Sequence, residues 1–167
     1  RWLSHDKCTE NVLKTFVPLL DCLRLLSEGE TPITAAQREA EPFRYVQVKG
    51  DDLTACALYK IFTSEEYIAT LCLSRGVLPV MSAMSKHFQN EDVDFEMVES
   101  ALPVTKATLM GFKGGKCAQF NGWGEVVEMV KKAGHTVTRH SSRRGDWQMR
   151  TKDKWLDAIV RCLDERF

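Results

Sequence analysis

Four acidic residues lie close together near the middle of the chain: Glu91, Asp92, Asp94 and Glu96. Carboxylates at this spacing can hold magnesium for phosphodiester chemistry, because the ion prefers oxygen ligands. The cluster also falls between two predicted helices, where acidic side chains stabilise a helix N-terminus by opposing its dipole. We therefore interpret it as structural and predict no catalytic residue in this chain.

A glycine-rich segment, Gly111–Cys117, superficially matches a phosphate-binding loop because it contains a Gly-Lys pair. A true loop of this kind needs a glycine five residues before the Gly of that pair, and a Ser or Thr after the Lys to bind magnesium. Here those positions hold Met110 and Cys117. The segment therefore predicts a flexible helix end, and no nucleotide or other cofactor is expected.

His135 and His140 have the spacing that zinc-finger histidines can have. A structural zinc site needs four ligands in a tetrahedron. Cys117 is the one cysteine upstream within reach, and no Cys-x-x-Cys accompanies it. His5 and Cys8 form another pair, but two ligands do not make a site. No metal site is predicted.

Basic residues are concentrated between 131 and 154, where eight of them occur with two acidic residues, a net charge of +6. Residues 1–130 carry a net charge of −5, although the whole chain is neutral. Basic groups contact phosphates, and rings such as Trp147 and Trp155 can stack on exposed bases. A charge run is more often a solvated loop, so without the family resemblance the loop interpretation is favoured over a nucleic-acid site. The candidate phosphate-contacting residues are Arg139, Arg143, Arg144 and Arg150.

Composition places the chain among ordinary globular proteins. Its 167 residues fit one domain with a real core, and 44% of them are hydrophobic and 28% charged. We see no apolar run near the length of a membrane span and no signal peptide, so no membrane partner is predicted. The six cysteines are widely spaced and most lie in apolar helical patterns, which favours reduced core residues in an intracellular protein.

Apolar residues recur at helical spacing in six segments, which predicts an all-α fold, an irregular multi-helix bundle forming one domain over 1–167. Pro18 should kink the first helix, and Gly76 with Pro79 should break or kink the third. Phe95, Val98, Leu102, Thr105, Leu109 and Phe112 form a seam suited to packing along another helix. The predicted helices are 6–27, one capped by Asp51 or Asp52, one beginning at Ser64, 94–112, 123–130 and 155–167.

Two stretches, 28–50 and 114–150, are predicted to be less regular connections. The first holds one short helix at Ala35–Ala40 and a strand-like piece at Arg44–Lys49. Within the second, 135–149 reads as a polar loop. The alternative is a hairpin that pairs His135–Arg139 with Asp146–Arg150.

Several short motifs occur in an order that resembles hAT-family transposases, and in particular the vertebrate hAT-derived proteins of the zinc-finger 862 type. The resemblance covers almost the whole chain and is weakest at 28–50 and 114–150. The motifs are Arg1-Trp2-Leu3-Ser4-His5, a helix ending in Pro18-Leu19-Leu20, Leu58–Phe62, Val77-Leu78-Pro79, Leu102-Pro103, and Trp155–Ile159 through Glu165-Arg166-Phe167.

The resemblance implies a ribonuclease-H-like core interrupted by a helical insertion, and this chain is similar to that insertion. In active transposases of the family, the Trp of the Arg-Trp pair stacks on a base flipped out during strand transfer, which assigns that role to Trp2, with Arg1 beside it. The family's catalytic carboxylates lie before this pair and after the insertion. The chain begins at Arg1 without an initiator Met, and we expect it to be a fragment of a longer polypeptide and not an enzyme.

Two hypotheses of different kinds follow. The first is a non-catalytic helical segment of a nuclear, transposase-derived DNA-binding protein, which contacts DNA weakly through Arg1, Trp2 and 139–150 and forms homo-oligomers through regions outside this chain. The rival is a domesticated protein-interaction module in which Trp2 is a packing residue and the 95–112 seam binds a partner helix. Neither implies a small-molecule substrate. The neutral total charge favours the rival, and the segregated charge with the Arg-Trp pair favours DNA.

Overall fold

The computed structural model describes residues 2–28, 46–48, 51–89, 95–139 and 146–166, and it confirms the all-α prediction. A two-stranded antiparallel hairpin accompanies the helices. The elements are α1 (Trp2–Lys14), α2 (Phe16–Glu28), β1 (Val46–Val48), β2 (Asp51–Leu53), α3 (Ala55–Phe62), α4 (Glu65–Gln89), α5 (Phe95–Gly111), a π-helical turn (Phe112–Lys116), α6 (Ala118–Asn121), α7 (Trp123–Lys132) and α8 (Asp146–Arg166).

The central element is α4, a helix of 25 residues that continues through Gly76 and Pro79. The predicted break at these residues is therefore wrong, and the kink that was its alternative stays a prediction. Burial on both sides of α4 outweighs the local cost of the proline, because Cys72 and Val77 are packed on different faces. Gly76 has a packing role instead: a Cβ there would lie 2.5 Å from Cys117 Sγ.

Pro18 does interrupt the first helix, as predicted. The chain leaves helical geometry at Thr15, between α1 and α2. A proline ring crowds the carbonyl four residues earlier, here that of Lys14, and supplies no N–H to bond it. Regular bonding resumes at once, because the Leu19 amide donates to the Thr15 carbonyl at 2.9 Å.

Thr54 caps α3, and neither Asp51 nor Asp52 does. Its hydroxyl oxygen accepts a hydrogen bond from the Ala57 amide at 3.1 Å, which satisfies one of the free N–H groups of the first turn. Asp51–Leu53 form β2 and pair with Val46–Val48, so the strand-like piece was placed correctly and the aspartate caps were wrong. The short helix predicted at Ala35–Ala40 lies outside the described residues.

The predicted polar loop is correct only over its first part. Thr138 extends alongside the connection between α3 and α4, where its amide donates to the Thr63 carbonyl at 3.0 Å. Residues 146–149 belong to α8, which excludes both a loop and the alternative hairpin there. The sequence interpretation counted Lys152 among the surface charges of the basic stretch. In the structure its side chain is buried, so the N-terminal part of α8 packs against the rest of the fold.

Two apolar clusters lie on different faces of α4. One lies between α4, α1 and α7 and includes α2, which packs on α3, and the other lies between α4, α5, α6 and α8. The buried members of the first are Phe16, Leu20, Ile68, Cys72, Val127 and Val130. Those of the second are Ala69, Leu73, Val77, Met81, Met84, Leu109, Cys117, Phe120, Leu156 and Leu163.

The cysteines do not share one environment. Cys72 and Cys117 are buried as predicted, but Cys8, Cys22 and Cys162 are exposed, so their assignment to the core was wrong. They lie on the solvent side of α1, α2 and α8, and a cysteine in a helical pattern does not by itself report which face it occupies.

By length and composition, α4 could also cross a membrane, which corrects the statement that no apolar run approaches that length. Within the described ranges, 61% of its most apolar window is buried in the fold. Helices at the centre of a core meet the same criteria, so this is weak evidence for a membrane.

Candidate interaction surface

An open apolar groove lies between α4 and α8, with a volume of about 460 Å³. Each helix contributes side chains at spacings of three and four residues. One apolar face of α4 therefore lies opposite one apolar face of α8. The lining residues are Val77, Leu78, Met81, Met84, Ser85 and Phe88 from α4, and Trp155, Ala158, Ile159, Cys162 and Leu163 from α8.

The outer edge of this α4–α8 groove carries charge. Lys154, Arg161 and Glu165 occupy the same stripe of α8 as Ala158, which lines the groove, and all three are exposed. The Arg161 and Glu165 side chains, separated by 4.0 Å, are 73% and 68% exposed, so their attraction is screened by water. Among the described side chains of α8, Lys154 and the Arg161–Glu165 pair therefore border the groove.

The opposite edge of α8 is acidic and is neutralised within the fold. Asp164 pairs with Lys106 of α5, and Asp157 accepts two 2.9 Å hydrogen bonds from Lys113 Nζ in the π-helical turn. The hydrogen bond to Asp157 raises the pKa of Lys113 above its ordinary value. Buried Leu156 and Leu163 fix the orientation of α8 against the core, and these partly exposed ion pairs add little to it.

Lys152 is buried beneath the same end of α8, with 2% of its surface exposed. Its ammonium donates to the Lys113 carbonyl at 3.1 Å and lies 5.4 Å from the centre of the Phe120 ring. Asp153 Oδ1, 3.8 Å away, supplies the nearby negative charge. A buried ammonium with these neighbours closes the end of the π-helical turn and cannot contact a phosphate.

Of the six predicted nucleic-acid residues, the structure describes the side chain of Arg139, so their grouping stays a prediction. Arg139 is exposed but pairs with Glu65, with Arg139 Nε 2.7 Å from Glu65 Oε2. Trp2 is the first residue of α1, and Arg150 is in α8, but their side chains are outside the described set. Arg1, Arg143 and Arg144 lie outside the described residues entirely.

Other lysines of the basic stretch also have acidic neighbours. Lys131 Nζ donates to Glu128 at 2.8 Å, and this bond, with the charges of Lys131 and Lys132, lowers the pKa of Glu128. Since Lys152 is buried and Arg139 is paired as well, the +6 of the sequence does not become a continuous basic surface in the described part of the chain.

His135, one of the zinc candidates, is buried in a polar linkage between three elements. Its Nδ1 lies 3.1 Å from the Tyr59 hydroxyl of α3, and its Nε2 lies 3.5 Å from Asp21 Oδ1 of α2. His140 lies outside the described residues. Among those that are described, no three His, Cys, Asp or Glu side chains converge as metal ligands.

The remaining motifs have structural positions. Cys117 of the glycine-rich segment is buried, and Gly115 has φ 88°, the left-handed conformation that ends a helix. Glu96 lies in the first turn of α5, where an acidic side chain opposes the helix dipole. Glu91, Asp92 and Asp94 lie outside the described residues.

The 95–112 seam, which the rival hypothesis assigned to a partner, is used inside the fold. Thr105 and Leu109 are buried, and Leu102 and Phe112 pack against the cluster around α4. That assignment was therefore wrong for the inner seam residues. Among the described residues, the α4–α8 groove offers an open apolar surface instead, and only the matching periodicities of α4 and α8 hinted at it in the sequence.

The hAT resemblance stays a prediction from the sequence motifs. No protein-family model, no curated protein and no solved structure matches this chain.

Proposed function

We propose that this chain is a non-catalytic helical module that binds a partner protein through the α4–α8 groove. The observation that carries the proposal is an open cavity of about 460 Å³ lined by apolar side chains of two fixed helices. Grooves between helices commonly receive a third, amphipathic helix. The proposal retains the protein-interaction hypothesis from the sequence but assigns partner binding to this groove instead of the 95–112 seam of α5.

Charge neutralisation supports protein binding over DNA binding. A phosphate backbone is bound by several accessible basic groups acting together. Here Lys152 is buried, Arg139 pairs with Glu65, and Lys131 pairs with Glu128. The module then fits a nuclear, transposase-derived protein, as the sequence resemblance implies, and it serves that protein as a docking domain.

A selection from a library of short displayed peptides tests this function. Peptides that bind the whole chain should lose binding to Ala158→Trp, because the indole would fill the groove. Ala107→Trp is the matched control, since Ala107 is exposed on α5 and does not line the groove. Failure to select any peptide sensitive to Ala158→Trp would refute the proposal.

A second candidate function, weak DNA contact, is favoured by the position of Trp2. It begins α1, whose first turn contains no acidic residue, so the free N–H groups there present a positive end to an anion. Trp2→Ala should weaken binding mainly to DNA with an unpaired base, because stacking needs an exposed base face. Arg143→Ala with Arg144→Ala should weaken binding to all sequences and flatten its salt dependence.

A further inference from the structure

We draw no further inference here: the strongest candidate, the apolar groove between α4 and α8, belongs to the surface already described, and nothing in the described part of the chain shows what covers it.

Discussion

The two sides of α4 are built differently. The side formed with α1, α2, α3 and α7 is closed by stacked rings, with Phe62 and Tyr67 centred 4.5 Å apart, and by the buried His135 linkage. The side formed with α5, α6 and α8 has the larger buried apolar cluster, adds ion pairs at the edge of α8 and the buried Lys152, and leaves a groove of about 460 Å³ open. A face closed by packing has no room for a partner, whereas α8 is fixed at buried Leu156 and Leu163 and leaves an apolar groove open.

The largest effect should come from Lys152, which belongs to the α8 side. Lys152→Met keeps the length of the side chain but removes the donor to the Lys113 carbonyl and leaves Asp153 Oδ1 buried without its nearby cation. Breaking a buried charged contact of this kind should lower the free energy of unfolding by about 3 kcal/mol, measured by urea denaturation. Lys154→Met, an exposed neighbour, should change it by less than about 0.5 kcal/mol.

A double substitution sharpens that measurement. If the partly buried Asp153 carboxylate is the cause, Asp153→Asn should recover part of the stability lost in Lys152→Met, because the amide carries no charge to desolvate. Equal losses from Lys152→Met and Lys154→Met would show that the two sides of α4 do not differ in this respect.

Gly76 measures how closely α4 approaches the start of α6. The Cβ of Gly76→Ala would lie 2.5 Å from Cys117 Sγ, and Cys117 is fully buried, so the overlap should outweigh the helix-forming advantage of alanine. We expect a loss of about 1–2 kcal/mol in the free energy of unfolding. Gly124→Ala in α7 meets nothing within 4 Å and should be neutral or stabilising, up to about 1 kcal/mol.

Adding Cys117→Ala to Gly76→Ala should remove the overlap and recover stability relative to the Gly76→Ala chain. A stabilised Gly76→Ala chain would instead mean that the added Cβ lies further from Cys117 Sγ than 2.5 Å.

These residues also show what the sequence could predict. Apolar periodicity predicted the helices and the all-α class because burial of one face is a local pattern repeated along a helix. Pro79 and Gly76 were wrongly interpreted as a helix break. Whether these residues end a helix depends on the elements that pack around α4, and those elements are distant in the sequence. The cap of α3 was misassigned because Asp51, Asp52 and Thr54 are all good cap residues, and the β1–β2 pairing decides between them.

The candidate surface was less predictable than the fold. The stripes of α4 and α8 are visible in the sequence, but nothing local says that they face each other and stay apart. Lys152 counted as one of eight basic residues, because its burial needs the π-helical turn, Phe120 and α8 to meet. Net charge along a sequence therefore overstated the basic surface of the folded chain.

Tyr59 tests the polar linkage on the closed side. Tyr59→Phe keeps the ring but leaves His135 Nδ1 without the hydroxyl 3.1 Å away, in a side chain that is fully buried. Loss of one such hydrogen bond should lower the free energy of unfolding by about 1 kcal/mol. Tyr67→Phe retains the stacking on Phe62 and serves as the control, with a smaller expected change. Equal losses of unfolding free energy in the two variants would mean that the Tyr59–His135 contact stabilises the fold no more than the Tyr67 hydroxyl does.

The smallest effect on stability, but the clearest contrast between the two sides, should come from the thiols. Burial raises the pKa of Cys72 from 9.0 to about 11, with a smaller contribution from Cys117, whereas Cys162 is exposed beside the groove. At about pH 8 the thiolate fraction of Cys72 is then roughly a hundredfold below that of an ordinary thiol. Mass spectrometry after brief iodoacetamide treatment should find Cys162, Cys8 and Cys22 alkylated and Cys72 unmodified.

The same pKa shift fixes the direction of a pH effect. Because the folded thiol of Cys72 resists ionisation, its contribution to stability is complete below pH 9.0 and is lost as the pH rises towards about 11, where the unfolded chain alone has released the proton. Cys72→Ala should therefore flatten the alkaline loss of stability, while Cys162→Ala should leave it unchanged. Rapid alkylation of Cys72 in the folded chain would show that the closed side of α4 opens, and the contrast between its two sides would disappear.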